Sequence, residues 1–351
     1  MAGIRVAVID DWQKAARDVA DWSALEKRAE VVFFPRHYAA GEEDAAARDL
    51  ADFDIILPTR ERSRFAESLI ARLPRLKMMS LTGTRAPNVD QDACTKRGII
   101  CTFTSGGHSP APAAEMTLAL LLAAARKIPQ GDAAMRAGRF QEGIPPGINL
   151  EGRTLGIVGL GRIGAYMARY GKALGMRVIG WSQNLTDEKA KEAGAERVSK
   201  EQLFAEADAV TVHLVLSPRS HGLIGADDFA RMKKGAIFIN TSRGPIVDEA
   251  ALVAALREGR IIAALDVYDL EPLPPDNPFR AFPNTVLTPH LGFTTVEGLN
   301  VFYAHAIENI LAFLDGKPKN VANAEALKNS VIPGRAAEPR GEGNPFLRNR
   351  D

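Results

Sequence analysis

The sequence predicts an α/β protein built from two parallel-sheet domains, and three observations carry that expectation. Short β-rich runs alternate with helical stretches from residue 4 to about 102 and again from 153 to about 289, the pattern of strands joined by crossover helices. A glycine-rich turn stands between a strand and a helix at the head of the second series. The 351 residues also exceed the roughly 100–200 that usually fill one domain.

The first series predicts strands at 5–9, 31–34, 54–57, 77–81 and 99–101, with a helix at 66–72. Glycine and proline in the stretch 104–110, Thr-Ser-Gly-Gly-His-Ser-Pro, mark a turn or hinge. Residues 112–127 then read as one long helix, apolar on most sides and therefore buried. The second series predicts strands at 154–159, 176–181, 209–214, 236–240, 261–266 and 285–288. Within it, Ser199 with Gln202 forms a capping box, and Asp248 opens a helix that Gly259 closes. Residues 296–314 form a last amphipathic helix with no new sheet to follow, so it is expected to return to the first domain. From about 331, proline, glycine and charge predict a mobile tail.

Composition narrows the function classes. Apolar residues make up 46% of the chain, enough for real cores, and 44 basic against 43 acidic residues leave no broad field for nucleic acid or an anionic membrane. Cys94 and Cys101 have neither zinc-ligand nor redox-motif spacing; each is expected near a strand edge as a reduced packing residue. No metal site is expected. The apolar N-terminal run meets Asp10 and Asp11 too early for a secretory signal, and the run 116–125 is shorter than the roughly 20 residues of a spanning helix. A cytoplasmic protein is the expectation.

The run 154–164, Thr-Leu-Gly-Ile-Val-Gly-Leu-Gly-Arg-Ile-Gly, is a strand, a Gly-x-Gly-x-x-Gly turn and a helix start. Gly159 makes the tight turn, Gly161 lets backbone N–H groups approach a pyrophosphate, and Gly164 lets helix pack on strand. With the next strand at 177–181, this predicts dinucleotide binding in a Rossmann-like domain. The end of that strand selects the ribose, and there the chain carries Ser182-Gln183-Asn184, with neither a carboxylate to repel a 2′-phosphate nor an arginine to attract one. Both NAD(H) and NADP(H) stay open at this point.

Three later strand ends carry unusual polar chemistry, and in open parallel sheets ligands bind beyond those ends. Arg243, after 236–240, is suited to clamp a substrate carboxylate through two hydrogen bonds. Glu271 follows the 261–266 strand and His290 the 285–288 strand, so neighbouring strand ends are expected to bring them together. A carboxylate beside an imidazole favours the imidazolium, a competent acid toward a carbonyl oxygen that receives a hydride. In the first series, Arg60 and the Thr82-Gly83 turn also end strands, with Arg62 and Arg85 nearby; only the architecture that the resemblance given next implies would turn them, and backbone N–H groups around Gly83, toward the substrate.

These segments resemble the D-2-hydroxyacid dehydrogenase family, which includes phosphoglycerate dehydrogenases and glyoxylate/hydroxypyruvate reductases. The resemblance covers roughly residues 4–320 and rests on the glycine fingerprint, Thr241-Ser242-Arg243-Gly244-Pro245-Ile246-Val247-Asp248, Asp266-Val267-Tyr268 with Glu271-Pro272, and Thr288-Pro289-His290. It implies a dinucleotide-binding domain, 108–295, inserted into a flavodoxin-like substrate domain made of 1–107 and 296–330, with 331–351 as the tail. It implies that Arg243 binds the substrate, that Glu271 pairs with His290, and that His290 moves the proton on a small 2-keto or D-2-hydroxy acid. Asp266 would contact the nicotinamide, within a cofactor set of Gly159, Gly161, Arg162, Ile163, Gly164, Ser182, His213, Thr241, Asp266 and Gly292. Homodimerisation through the inserted domain is implied as well.

Other readings fit less well. In the L-lactate/malate dehydrogenase type the fingerprint opens the chain, whereas here it begins at Gly159. Formate dehydrogenases of this fold have glutamine where Glu271 stands. The alternative from another class is a corepressor-like NAD(H)-sensing interaction protein on the same fold, which would bind NADH without oxidising it.

Overall fold

The computed structural model describes residues 3–39, 41–104, 109–331 and 333. The chain divides into two compact units, Met1–His108 with Val296–Asp351, and Ser109–Thr295.

The first unit holds five parallel strands: β1 (Ile4–Ile9), β2 (Ala29–Phe33), β3 (Ile55–Pro58), β4 (Met78–Leu81) and β5 (Ile100–Phe103), in the order β2-β1-β3-β4-β5. Strand side chains alternate faces, so Ala7, Ile9, Ile56, Met79, Leu81 and Cys101 share one buried cluster. Val6, Val8, Ile55, Leu57 and Met78, also buried, serve the other face. The helix Val296–Leu314 packs in this unit near β4 and buries Phe302, Tyr303, Ile310 and Phe313. After it, the chain covers the open edge of β5: Phe103 N–H donates to Asn320 O at 3.0 Å and Ala322 N–H to Cys101 O at 2.8 Å, which removes an unpaired sheet edge.

The second unit holds seven parallel strands: β6 (Thr154–Val158), β7 (Arg177–Trp181), β8 (Glu196–Arg197), β9 (Ala209–Val212), β10 (Ile237–Asn240), β11 (Ile262–Leu265) and β12 (Thr285–Leu287), in the order β12-β11-β10-β9-β6-β7-β8. Both faces are apolar, as a parallel sheet covered by helices requires. Leu155, Ile157, Ile237 and Ile239 pack with Leu120, Leu121 and Met167 on one side. Val158, Val210, Val212 and Phe238 pack with Leu203, Phe204, Phe229 and Leu252 on the other. Each fully buried side chain of this size contributes roughly 1.5–3 kcal/mol, so the strand ends that carry the polar residues project from a rigid platform.

Several local expectations hold. Ser199 and Gln202 form the reciprocal capping box, Asp248 accepts from Ala251 N–H at the start of Glu249–Arg257, and Gly259 takes a left-handed φ of 64° just past that helix. Others need correction. The helix expected at 66–72 spans only Glu67–Ile70; beyond it the chain tightens into i→i+3 bonds, Arg72 N–H to Leu69 O and Leu73 N–H to Ile70 O. The long helix runs Ala111–Arg126, and Lys127, at φ 57°, breaks it from a second helix, Ile128–Arg136, that its pattern did not announce. The two-residue β8 was also unforeseen. Cys94 lies in the helix Gln91–Lys96 instead of at a strand edge, and both cysteines are buried and free. Of the expected hinge, 105–108 lie outside the described residues, as does the tail apart from Val331 and Pro333. Among the described residues no helix is long and apolar enough to cross a membrane, and no group of three His, Cys, Asp or Glu could hold a metal ion.

Candidate active site

The order of the larger sheet reverses between β6 and β9, and ligands of such sheets bind outside the strand ends at that switch. At the end of β6, Gly159 has φ 99°, and a Cβ there would lie 2.6 Å from His213 O. A Cβ on Gly164 would collide with Gly159 O, whereas one on Gly161 would meet nothing within 4 Å. Gly159 and Gly164 are thus fixed by the protein's own packing. Gly161, by contrast, opens toward space at the start of the helix Arg162–Ala173, whose N-terminus has no side-chain cap. That cradle fits a pyrophosphate, which the unsatisfied N–H groups and the helix dipole favour. Arg162 is exposed there, while Ile163 packs partly into the core. Ser182 follows β7 and is half-buried. His213, after β9, bonds Thr211 Oγ1 through Nε2 at 3.0 Å, and burial pushes its pKa down to about 3, so the ring is neutral.

Adjacent strands β10, β11 and β12 carry the other groups. Buried Asn240 pins the turn after β10: its Oδ1 accepts from Ser242 N–H at 3.0 Å and its Nδ2 donates to Arg243 O at 3.0 Å. Ser242 Oγ donates to Leu214 O. Thr241 Oγ1 lies 2.7 Å from Thr117 Oγ1, whose own proton goes to Ala113 O, so Thr241 is the donor. Arg243 donates from Nη1 to Ser242 O at 2.8 Å. A Cβ on Gly244 would collide with the Tyr268 and Asp269 backbone, so only glycine lets the Arg243 turn lie against the turn that carries Glu271.

Glu271 and His290, 19 residues apart in sequence, are joined by a 2.6 Å bond between Oε2 and Nδ1. The second carboxylate oxygen accepts Tyr268 N–H at 3.1 Å, and the two side chains are only 21% and 18% exposed. His290 sits at φ 55° and meets Phe293 edge to face at 5.7 Å. Its turn is held by Asp266, which is fully buried. Oδ1 accepts from Thr288 Oγ1 at 2.6 Å and from Leu291 N–H at 2.7 Å, and Oδ2 from Gly292 N–H at 2.8 Å. Burial raises the Asp266 pKa against the pull of these donors.

The remaining candidates belong to the first unit. Arg60, after β3, has φ 66°; its guanidinium lies 5.3 Å from the Phe302 ring centroid and occupies the space a Cβ on Gly83 would need. Thr82 and Gly83 make hydrogen bonds inside the unit. Thr82 Oγ1 accepts from Arg60 N–H at 2.6 Å and donates to Pro58 O at 3.1 Å, and Gly83 N–H donates to Thr104 Oγ1 at 2.7 Å. Buried backbone and hydroxyl groups must find partners, and here they find them inside the unit. Sequence reasoning also passed over Asp10 and Ser63, both buried and bonded to each other. The available signal was an acidic residue directly after an apolar strand.

A family model for the D-isomer specific 2-hydroxyacid dehydrogenase NAD binding domain matches residues 118–292, all within the second unit. A glyoxylate reductase of Aeropyrum pernix is 44% identical over 269 residues, 74% of this chain and 80% of that protein. A D-3-phosphoglycerate dehydrogenase of Archaeoglobus fulgidus is 38% identical over 286 residues, 81% of this chain but 54% of that protein, so the chain spans about half the length of that relative. The crystal structure of a phosphoglycerate oxidoreductase from Vibrio cholerae superposes with a TM-score of 0.84 at 32% identity, covering 89% of this chain and 99% of that one. The glycine cradle, the covered parallel sheet and these relatives define an NAD-dependent oxidoreductase. The chain belongs to the D-2-hydroxyacid dehydrogenase family, whose reaction is hydride transfer between NAD(H) and 2-hydroxy acids.

Proposed function

We propose that the chain reduces a small 2-keto acid of the glyoxylate or hydroxypyruvate type, with His290 as acid and base, Glu271 as its partner and Arg243 binding the substrate carboxylate. The observation that carries this reading is the 2.6 Å bond between His290 Nδ1 and Glu271 Oε2. Bound NADH supplies the hydride. With Nδ1 held by the carboxylate, the ring delivers its proton from Nε2 to the carbonyl oxygen and takes it back in the reverse direction. Arg243 grips the carboxylate in two hydrogen bonds and so aims the neighbouring carbonyl. Asp266 holds the 288–292 turn, and with it the angle of the ring.

Under this reading the second unit binds the nucleotide through Gly159, Gly161, Gly164 and the N–H groups of Arg162 and Ile163. Ser182 stands at the ribose, and His213, Thr241, Asp266 and Gly292 line the rest. Arg60, in the first unit, is the substrate contact that sets size and polarity. The 44% identical glyoxylate reductase supports a small acid; a phosphorylated one is the runner-up, from the 38% identical phosphoglycerate dehydrogenase. We also propose a homodimer formed through the second unit, supported by the exposed apolar side chains of Ile128, Met135 and Phe140.

The test is loss of 340 nm absorbance with NADH and, separately, NADPH against glyoxylate, hydroxypyruvate, 3-phosphohydroxypyruvate, pyruvate and bulkier 2-keto acids. The expected result is fastest turnover with glyoxylate or hydroxypyruvate. Equal turnover of large apolar keto acids would overturn the substrate assignment. The NADPH arm fixes selectivity, since Ser182-Gln183-Asn184 offers no carboxylate against a 2′-phosphate. In the same assay Arg243→Ala raises the keto-acid KM by at least tenfold; an unchanged KM would remove Arg243 from the carboxylate site.

A further inference from the structure

Asp10 directly follows the apolar strand β1, yet it is only 3% exposed and takes a left-handed φ of 66°. Burying a carboxylate costs free energy unless donors meet it, and both its donors come from one residue. Ser63 Oγ donates to Oδ1 at 2.6 Å and Ser63 N–H to Oδ2 at 3.2 Å. Two bonds from one partner fix its orientation as well as its position. Ser63, with no exposed surface, is tied further: Oγ accepts Tyr38 N–H at 2.9 Å and its carbonyl accepts Asn88 Nδ2 at 2.7 Å.

The other end of the same loop is also fastened. Thr59 N–H donates to Ile9 O at 3.1 Å, Thr59 Oγ1 lies 2.9 Å from Tyr303 OH, and Arg60 N–H donates to Thr82 Oγ1 at 2.6 Å. Between the two anchors stand Arg60, Glu61 and Arg62, and Arg60 itself is held in the left-handed region. A non-glycine residue there needs surroundings that over-determine it, and the Asp10 and Ser63 pair is the far wall of that constraint.

We propose that Asp10 is a positioning residue for substrate binding, which through Ser63 fixes the 59–63 loop and so the placement of the Arg60 guanidinium. This rests on the reading of Arg60 as a substrate contact. A carboxylate is needed because both its oxygens accept; an asparagine would turn an NH2 group toward one of the Ser63 donors.

The test is a four-enzyme cycle on the full chain: wild type, Asp10→Asn, Arg60→Ala and the double variant, assayed at pH 8 with saturating NADH and glyoxylate or hydroxypyruvate. Asp10→Asn is expected to raise the keto-acid KM about tenfold, with kcat within about twofold and NADH affinity unchanged. In the Arg60→Ala background the same change should move KM less than about twofold, because coupled residues are not additive. If Arg60→Ala raises KM while Asp10→Asn does not, or if the two effects multiply fully, the positioning role is wrong. If Arg60→Ala leaves KM unchanged, the Arg60 reading fails and takes this proposal with it.

A second measurement needs no Asp10 variant. Burial pushes the Asp10 pKa up to about 7, against the pull of Ser63 and Arg62. The ionised form holds both donors, so the wild-type keto-acid KM should rise as pH falls through about 7, and this limb should vanish in Arg60→Ala. Among the described residues the charged and titratable groups that act on Asp10 are Arg62, Tyr38 and Tyr303; burial raises both tyrosines well above their ordinary range, so they stay neutral. His37, near Arg62, is lowered by burial. The same rise persisting in Arg60→Ala would overturn the route through Arg60.

Discussion

Two buried aspartates, one in each unit, perform related work with different firmness. Asp266, after β11, accepts three donors from the turn that carries His290 at φ 55°. Asp10, after β1, accepts two donors from the loop that carries Arg60 at φ 66°. In both, a carboxylate inside the protein secures a backbone stretch that holds a side chain of the proposed site in a sparsely populated conformation. The donors differ in origin: Asp266 gathers three residues of one turn, whereas Asp10 grips Ser63 alone and relies on Tyr38 and Asn88 to hold Ser63 in place. Loss of the first anchor should therefore reach the chemistry directly, and loss of the second should reach only the fit of the substrate.

The sharpest way to break that comparison is Asp266→Asn. It sets an NH2 group against a buried N–H or hydroxyl donor, at a cost of about 1–3 kcal/mol for each group left unpaired. It should lower kcat by at least tenfold with a smaller change in the keto-acid KM, the reverse of the split expected for Asp10→Asn. Equal splits in the two variants would show that the anchors are not specialised. Gly244→Ala comes next. Its Cβ has no room against the Tyr268 backbone, so the Arg243 turn must shift, with an overpacking cost of roughly 1–3 kcal/mol. A lower Tm and a raised keto-acid KM are expected; unchanged kinetics would mean that Arg243 does not depend on that contact. The smallest effect belongs to Ser199→Ala, which removes a helix cap for about 1 kcal/mol and should leave kcat and KM alone, since Ser199 touches neither anchor. A kinetic change there would mean that general loosening, and not anchoring, governs the two aspartate variants.

The two regions also differed in how far they could be read from sequence. Strands β6, β7 and β9 to β12, the glycine turn, and Arg243, Glu271 and His290 follow from local patterns: apolar runs, turn residues and polar groups placed at strand ends. Once the strands are parallel and adjacent, the meeting of Glu271 with His290 follows from sheet order. The first unit hides its polar logic in long-range partners. Thr59 reaches Tyr303, Asp10 reaches Ser63, and Gly83 reaches Thr104. No periodicity marks such pairs, so the internal partners of Thr82 and Gly83 could not be read from the sequence. The helix Ile128–Arg136 was missed for a related reason. The left-handed break at Lys127 that starts it has no glycine or asparagine to announce it.

The most direct test of the central claim is a single-turnover measurement, in which enzyme in molar excess over NADH is mixed with excess glyoxylate or hydroxypyruvate and followed at 340 nm, for wild type and for His290→Ala. If His290 is the acid that completes hydride transfer, the variant still binds NADH but oxidises it at least about 100-fold more slowly. Hydride transfer at the wild-type rate in His290→Ala would contradict the account and leave the His290–Glu271 pair a structural contact.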